Sequence, residues 1–390
     1  MNVVVVAEYY PRAADPVLGV WAHRQALAAR DAGADVRVLV LHRPVPPRAA
    51  LAERRPAALT APLRQPLKAE LDGIPVRYVP FVAPPRPRSY GSWGAWAAPS
   101  LALALRRLRR TFPFDLVHAH YAAPAGDAVR RARISTPLVI SVHGGDILAL
   151  PQRWRGGARA VHRALDRAQM VLANSAAIEE RCRAMGARAT RVVHLGTDLP
   201  PEPLTPDGHA PAIVTVGHLV ARKRHADVLR ALWLLRGDHP ELRWIVVGDG
   251  PERPALERLV GELDLVDRVE MRGQVPPAEA AVAAQAATVF VMPSVDEAFG
   301  VAYVEAMAGG VPAIGCRGEA GPEEIAAAGG GIRLVPPGEP EALAAEIGAL
   351  LAEPAWRREL GETARATVAG SFTWDACGRA TVAAYEEALR

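Results

Sequence analysis

The chain has 390 residues, half of them hydrophobic, which is too long for one ordinary core and predicts two domains of about 150–200 residues. Its three cysteines, Cys182, Cys316 and Cys377, are scattered and lack metal-site spacing, which excludes a disulfide scaffold and fits a reduced cytosolic protein. The net charge of +4 hides an imbalance: residues 1–200 carry 29 Lys+Arg against 14 Asp+Glu, residues 201–390 carry 17 against 28. The basic half is expected to face an anionic partner, and it has neither interleaved aromatics nor a nucleic-acid motif. A membrane surface or a lipid-linked diphosphate fits better.

The opening MNVVVVAEYYP has no basic flank and too short an apolar run for a signal peptide or a spanning helix. It reads as a first strand of a cytoplasmic protein, with attachment at the inner face of the membrane the furthest that the charge suggests. Further apolar runs follow: VRVLVL (36–41), VRYVPF, DLVHAHY, PLVISVHG, MVLANS and VVHLG. Helical patterns such as Val20–Ala32 and Arg155–Ala168 lie between them, and that alternation predicts an α/β, doubly wound parallel sheet. Gly19, before the first helix, is either a turn glycine or a contact for phosphate or acceptor. LALALRRLRRTF (101–112) sets leucines beside Arg106, Arg107, Arg109 and Arg110, a solvated basic face or a resting place on an anionic leaflet.

Two strands end in histidines, His118 and His120 in DLVHAHY and His143 in HGGD, followed by Asp146. Ligands bind at the carboxyl ends of parallel strands, and glycines let a backbone approach closely. The same four residues could instead ligate a metal in a hydrolase, although that reading ignores the second half of the chain.

PPEPLTPDGHAP (200–211) is the expected boundary, with domains over 1–199 and 200–371. A second set of runs then begins: AIVTVGHL, LRWIVVGDG, VEMRGQV, TVFVMPS and VPAIGC. Two such sheets in tandem predict a cleft faced by strand C-termini. Only two lysines occur, Lys68 and Lys223, against 44 arginines. A lysine at the strand–helix corner ARKRH therefore suggests a compact point charge beside pyrophosphate, with Arg222 next to it. Gly217 ends the strand before it, and WIVVGDGPE brings Gly248 and Gly250 without the third glycine of a dinucleotide fingerprint.

The densest signal is PSVDEAFGVAYVEAMAGGVP (293–312). Glu297 falls in a loop and Glu305 in a helix over Val301–Ala308 that ends at Gly309-Gly310. Between them the turn Phe299-Gly300 and the amides of Gly300 and Val301 open a helix N-terminus, where phosphate is favoured. Acids at both ends and an anion site in the middle suit a nucleotide sugar.

This stretch, with HGGD and the Arg222–Lys223 pair, resembles the family 4 retaining glycosyltransferases of the GT-B fold, and the opening resembles their teichuronic-acid-biosynthesis branch. The resemblance implies that Glu297 binds donor-sugar hydroxyls, Glu305 the ribose, and Arg222 and Lys223 the leaving diphosphate. Phe299, Gly300, Val301, Gly217, Gly248, Gly273 and Val275 would border the donor, the last two through the loop of EMRGQV. His143 would reach the sugar, with His120, Asp146 and Gly19 on the acceptor or phosphate side. It also implies that the last helix, about 372–390, returns to the first domain. No Asp-x-Asp pair occurs, so no metal or other cofactor is expected. A catalytically silent protein that binds sugar nucleotides or membranes is the alternative of another class.

Overall fold

The computed structural model describes residues 1–46, 56–203 and 210–390. The chain divides into unit 1, Met1–Leu195 with Trp374–Arg390, and unit 2, Gly196–Thr373. The division lies at 195/196 and 373/374, not at 199/200 and 371/372. Thr197 donates its amide to the Phe372 carbonyl at 2.9 Å and pairs with Thr373 in a parallel bridge, which ties both crossing segments to unit 2. Of the Pro-rich stretch expected to mark the boundary, residues 204–209 lie outside the described residues.

Unit 1 is built on one eight-stranded sheet. Its strands are β1 (Asn2–Ala7), β2 (Asp35–His42), β3 (Lys68–Leu71), β4 (Ile74–Pro80), β5 (Leu116–His120), β6 (Leu138–Ser141), β7 (Met170–Ala173) and β8 (Thr190–Val192). They lie in the order β3-β4-β2-β1-β5-β6-β7-β8, all parallel except β3, which runs against β4. Val3 to Val6 are each fully buried, as a central strand covered on both faces requires. Helix α1 (Val20–Asp31) packs against the last helix of the chain, and Gly378 of that helix comes so close that a Cβ would stand 2.2 Å from the Ala28 carbonyl oxygen. Helix α2 (Trp93–Arg109) buries Leu101 and Leu105 and exposes Arg106, Arg107 and Arg109 at its end.

Unit 2 holds β9 (Ala212–Val216), β10 (Arg243–Val247), β11 (Val269–Gly273), β12 (Val289–Val291), β13 (Ala313–Cys316) and β14 (Ile332–Val335). The order β11-β10-β9-β12-β13-β14 is parallel throughout. Strand order reverses between β9 and β12, and that switch point is where open α/β sheets bind ligands. Three helices matter below: α3 (His225–Leu234), α4 (Val301–Ala308) and α5 (Ala320–Ala328). Trp244, fully buried, centres the core and donates its ring N–H to Thr215 Oγ1 at 2.9 Å.

Two strands are not legible as apolar runs. Lys-Ala-Glu-Leu of β3 alternates exposed and half-buried residues at a sheet edge, and Ile-Arg-Leu-Val of β14 carries exposed Arg333. The last helix, α6 (Trp374–Ala388), joins unit 1 through Cys377, Ala384 and Tyr385, which share a core cluster with β1 and β2.

Tyr385 also fixes His118. Its hydroxyl lies 2.7 Å from His118 Nδ1, and Ser141 Oγ lies 2.8 Å from Nε2, so both ring nitrogens of this buried histidine are engaged. Tyr385→Phe is expected to lower stability by about 1–3 kcal/mol in urea unfolding, the cost of leaving one buried polar atom unpaired. A loss within about 0.5 kcal/mol would show that the bond contributes little.

Candidate active site

Sequence places Lys223 and Glu297 74 residues apart, and the sheet brings them together. β9 and β12 are neighbours, so the segments leaving their C-terminal ends meet. A short turn of 3-10 helix, Ala221–Lys223, closes on Arg224 in the left-handed region (φ 55°), which aims Lys223 inward before α3 begins. Lys223 Nζ lies 2.6 Å from Glu297 Oε2 and 3.2 Å from Met292 Sδ. Ser294 Oγ donates to the same carboxylate oxygen at 3.0 Å, and Arg222 Nη1 stands 3.5 Å away. Both Lys223 and Glu297 side chains are about nine-tenths buried, whereas that of Arg222 is 45% exposed. Burial alone would push the Glu297 carboxyl up; Lys223, Arg222 and the Ser294 hydroxyl outweigh it and hold the group below its ordinary value.

The turn that follows opens α4. Gly300 is its N-cap at φ 83°, with no side chain bonded to the helix amides. A Cβ there would stand 2.5 Å from the Tyr303 ring, so only glycine fits. Phe299 is buried against Phe372, ring centroids 5.5 Å apart, and its ring is therefore a wedge holding the turn. Glu305 lies half-buried within α4, one to two turns along the helix from Val301. From the neighbouring strand end, Glu319 accepts the Glu297 amide at 2.8 Å, and burial raises its own carboxyl despite that bond.

The glycines expected around the donor form one row across three adjacent strand ends. Gly217 follows β9, Gly248 follows β10 and Gly273 ends β11. The Gly248 amide donates to the Gly273 carbonyl at 2.8 Å, and Gly217 donates to the Val247 carbonyl at 2.9 Å. Gly248 has φ 140°, and a Cβ on it would strike the Gly217 carbonyl oxygen at 2.0 Å. Its glycine is thus a packing requirement, which a phosphate fingerprint would not explain. Val275 lies half-buried in the loop after β11.

In unit 1, His120 ends β5 and His143 follows the adjacent β6, and their rings stack at 11°, with His120 Nδ1 3.0 Å from His143 Nε2. Burial pushes His143 down to about 3 and His120 well below its ordinary value, so both are neutral imidazoles at neutral pH. Two buried nitrogens of the pair, His120 Nε2 and His143 Nδ1, have no hydrogen-bond partner among the described residues. Asp146 is fully buried, and its two oxygens accept the amides of Ala122 (2.8 Å) and His143 (3.0 Å). That carboxylate therefore staples the loops after β5 and β6 through their backbone amides. Gly19 caps α1 at φ 67°, folded against the Tyr9 backbone.

The metal-ligand reading of these residues finds no support in the geometry. Both His118 nitrogens are taken by hydroxyls and both Asp146 oxygens by amides. Among the described residues, no three His, Cys, Asp or Glu side chains are grouped to hold a metal ion. Ser294 and Glu319 were not legible as site residues. Ser294 stands three residues before Glu297, a spacing that could have suggested it, while nothing local marks Glu319.

Comparison with known proteins follows the division into units. Residues 18–196 match the family model described as glycosyl transferase 4-like domain, and residues 201–367 match that of glycosyl transferases group 1. A Bacillus subtilis protein described as a teichuronic acid biosynthesis glycosyltransferase is 28% identical over 391 residues, covering 95% of each chain. The sucrose-phosphate synthase of Thermosynechococcus elongatus superposes with a TM-score of 0.77 at 23% identity, over 99% of this chain and 98% of that one. Anabaena HepE, solved with UDP-glucose, gives 0.71 at 20% identity over 99% of each. The fold is GT-B.

Lys223→Met would strand Glu297 in a buried site with only half-exposed Arg222 nearby. We expect a loss of about 3–5 kcal/mol near neutral pH, the cost of breaking a buried pair. The pH slope should also reverse. In the native protein the depressed Glu297 value adds stability above the ordinary 4.5, lost as pH falls through the lower folded value. Without Lys223, burial dominates, and this group's contribution should fall as pH rises. Urea unfolding across about pH 4 to 8 reads both, and a native-like slope would show that Lys223 does not set the Glu297 charge.

Proposed function

The chain belongs to the glycosyl transferases of group 1, preceded by a glycosyl transferase 4-like domain, and on that premise we propose that it moves a hexosyl-type group from a nucleotide-diphosphate sugar with retention of configuration. The observation that carries this reading is the Lys223–Glu297 pair at 2.6 Å beneath the open N-terminus of α4. A diphosphate laid there meets the amides of the Gly300–Val301 turn and the positive end of the helix. Arg222 and Lys223 supply cations where the leaving nucleoside diphosphate gains charge, the point at which stabilisation accelerates the reaction.

Glu297 holds donor-sugar hydroxyls and Glu305 the ribose. The row Gly217–Gly248–Gly273, with Val275, borders the nucleotide. Because Glu297 is tied to Lys223 and Ser294, it serves as a positioned hydrogen-bond acceptor. Retention then proceeds by front-face attack within a tight ion pair, with no covalent sugar intermediate. In unit 1 we assign neutral His143 a hydrogen-bonding role toward the sugar, oriented by His120. With two fixed cations at the diphosphate, catalysis needs no metal.

Unit 1 takes the acceptor. The Bacillus subtilis relative named for teichuronic acid biosynthesis supports a glycan of a polysaccharide pathway, free or lipid-linked. The basic balance of the first half supports attachment to an anionic membrane surface. Among the described residues no helix is long and apolar enough to cross a membrane.

Incubation with UDP- and GDP-sugars without acceptor should give slow donor hydrolysis, and Glu297→Ala should lower it by about 10²–10³-fold with the thermal melt retained. Unchanged turnover in that variant would remove Glu297 from the site. Absence of both turnover and binding for every nucleotide sugar would leave the silent, non-catalytic reading. Treatment with a chelator should leave the native rate unchanged; a rate lost to chelation and restored by a divalent cation would overturn the metal-free mechanism.

A further inference from the structure

Unit 1 carries a second feature, at the edge of its sheet away from the histidines. A concavity of about 380 Å³ is lined by Arg130, Arg163, Asp166, Arg167, Gln169 and Arg188. Gln169 directly precedes β7 and Arg188 stands two residues before β8, so the wall lies at the amino ends of these strands. The Gln169 side chain also accepts the amide of Leu138, the first residue of β6, at 2.7 Å. His143 follows the opposite end of that strand. The volume falls in the range of about 300–1,000 Å³ that small-ligand sites occupy.

Three chain segments build the wall. Arg130 comes from the helix Asp127–Arg131, Arg163, Asp166 and Arg167 from the helix Gly157–Arg167, and Arg188 from the segment before β8. Four guanidinium groups thus stand against one carboxylate, a surplus of three positive charges. That carboxylate is already engaged, since Arg188 donates to Asp166 Oδ1 from Nε at 3.0 Å and from Nη2 at 2.6 Å. Arg130 pairs outside the wall with buried Asp127, but the same acid also pairs with Arg131. Arg167 is held by the Gln169 side-chain oxygen at 3.1 Å and the Ile134 carbonyl at 3.4 Å, neither of them an anion. The Arg163 side chain is exposed and makes no hydrogen bond or ion pair among the described residues.

Part of this charge has a plainer account. Arg130 and Arg167 lie in the last turns of their helices, where a cation offsets the helix dipole. Arg163 lies one turn earlier, at the i,i+4 spacing from Arg167 where like charges repel. Arg188 belongs to no helix. Helix ends therefore explain two of the four guanidinium groups and leave two.

The wall also limits what it can take. It contains no aromatic or aliphatic residue, so a nucleobase would find nothing to stack on and a lipid chain nothing to bury against. What remains is a compact anion. One phosphate group carries about −1.5 to −2 at neutral pH, less than the surplus of three. Guanidinium forks match phosphate oxygens in geometry as well as in charge. We propose that this concavity is a binding site for a small free anion of the pyrophosphate class, carrying two or more phosphate groups, held by Arg130, Arg163, Arg167 and Arg188. The site belongs to unit 1, whereas the corner of Lys223 and Glu297 belongs to unit 2, and the inference does not rest on the glycosyl-transfer reading.

The test is calorimetric titration of the full-length protein at fixed ionic strength, which holds general screening constant. Pyrophosphate should bind about tenfold more tightly than inorganic phosphate, and about tenfold more tightly than citrate, a carboxylate anion of similar charge. Arg163→Gln and Arg188→Gln should each weaken pyrophosphate binding about tenfold, the worth of one charge-assisted hydrogen bond, while melting like the native chain. Absence of pyrophosphate binding, or equal binding of inorganic phosphate, would overturn the ligand class. Equal binding of citrate would show attraction to charge alone and overturn it too. Native-like binding by either variant would place the ligand elsewhere and overturn the site. UDP- and GDP-sugars are titrated into the same samples, and both variants should bind them as the native chain does. A loss of nucleotide-sugar binding parallel to that of pyrophosphate would overturn a separate site.

Discussion

Everything proposed for unit 2 depends on one buried ion pair. Lys223 and Glu297 are both largely taken from water, and each offsets the charge that the other buries. The pair fixes a carboxylate beside an unfilled helix N-terminus, with a second, more exposed cation at its edge. Few arrangements suit hydroxyls and a diphosphate at once. This one also keeps solvent away from the cation that the proposed transfer sets against developing charge, where a lower dielectric strengthens the interaction.

Around that pair the backbone is held by close contacts more than by side-chain bonds. Phe299 is wedged on Phe372, and a Cβ on Gly321 would stand 1.9 Å from the Phe299 carbonyl oxygen. Glu319 clamps the Glu297 amide from the next strand end. Such packing leaves the turn little freedom, so its amides are already oriented before a ligand arrives, which lowers the cost of binding. In unit 1 the same logic runs through polar groups: Asp146 staples two loops, and His118 is locked between Tyr385 and Ser141. The stapled loops carry His120 and His143, whose neutral state follows from burial.

Charge is divided between the units in a way that matches the work assigned to each. In the acidic second half, Arg222 and Lys223 stand side by side against a net negative background. The basic first half has cations to spare, among them Arg106, Arg107 and Arg109 at the end of α2. In the proposed reading, long-range attraction serves an anionic acceptor or surface at one unit, and local geometry serves the donor at the other.

Much of this was legible in the chain itself. Alternating apolar runs and helical segments specify the two parallel sheets, because a strand buried on both faces must be apolar throughout. The spacing of Glu297, Gly300 and Glu305 specifies a strand–loop–helix corner, and Val301–Ala308 is helical between the bounds its glycines set. A lysine in a chain otherwise charged with arginine marked Lys223. Tertiary structure alone decided the rest. Whether a histidine meets a ligand or a core hydroxyl depends on what packs against it: Tyr385, 267 residues away, settled His118, and local sequence could not. Edge strands β3 and β14 and the Glu319 clamp arise likewise from neighbours distant along the chain. Periodicity records which face of an element is buried, but not which residue of another element will be there to meet it.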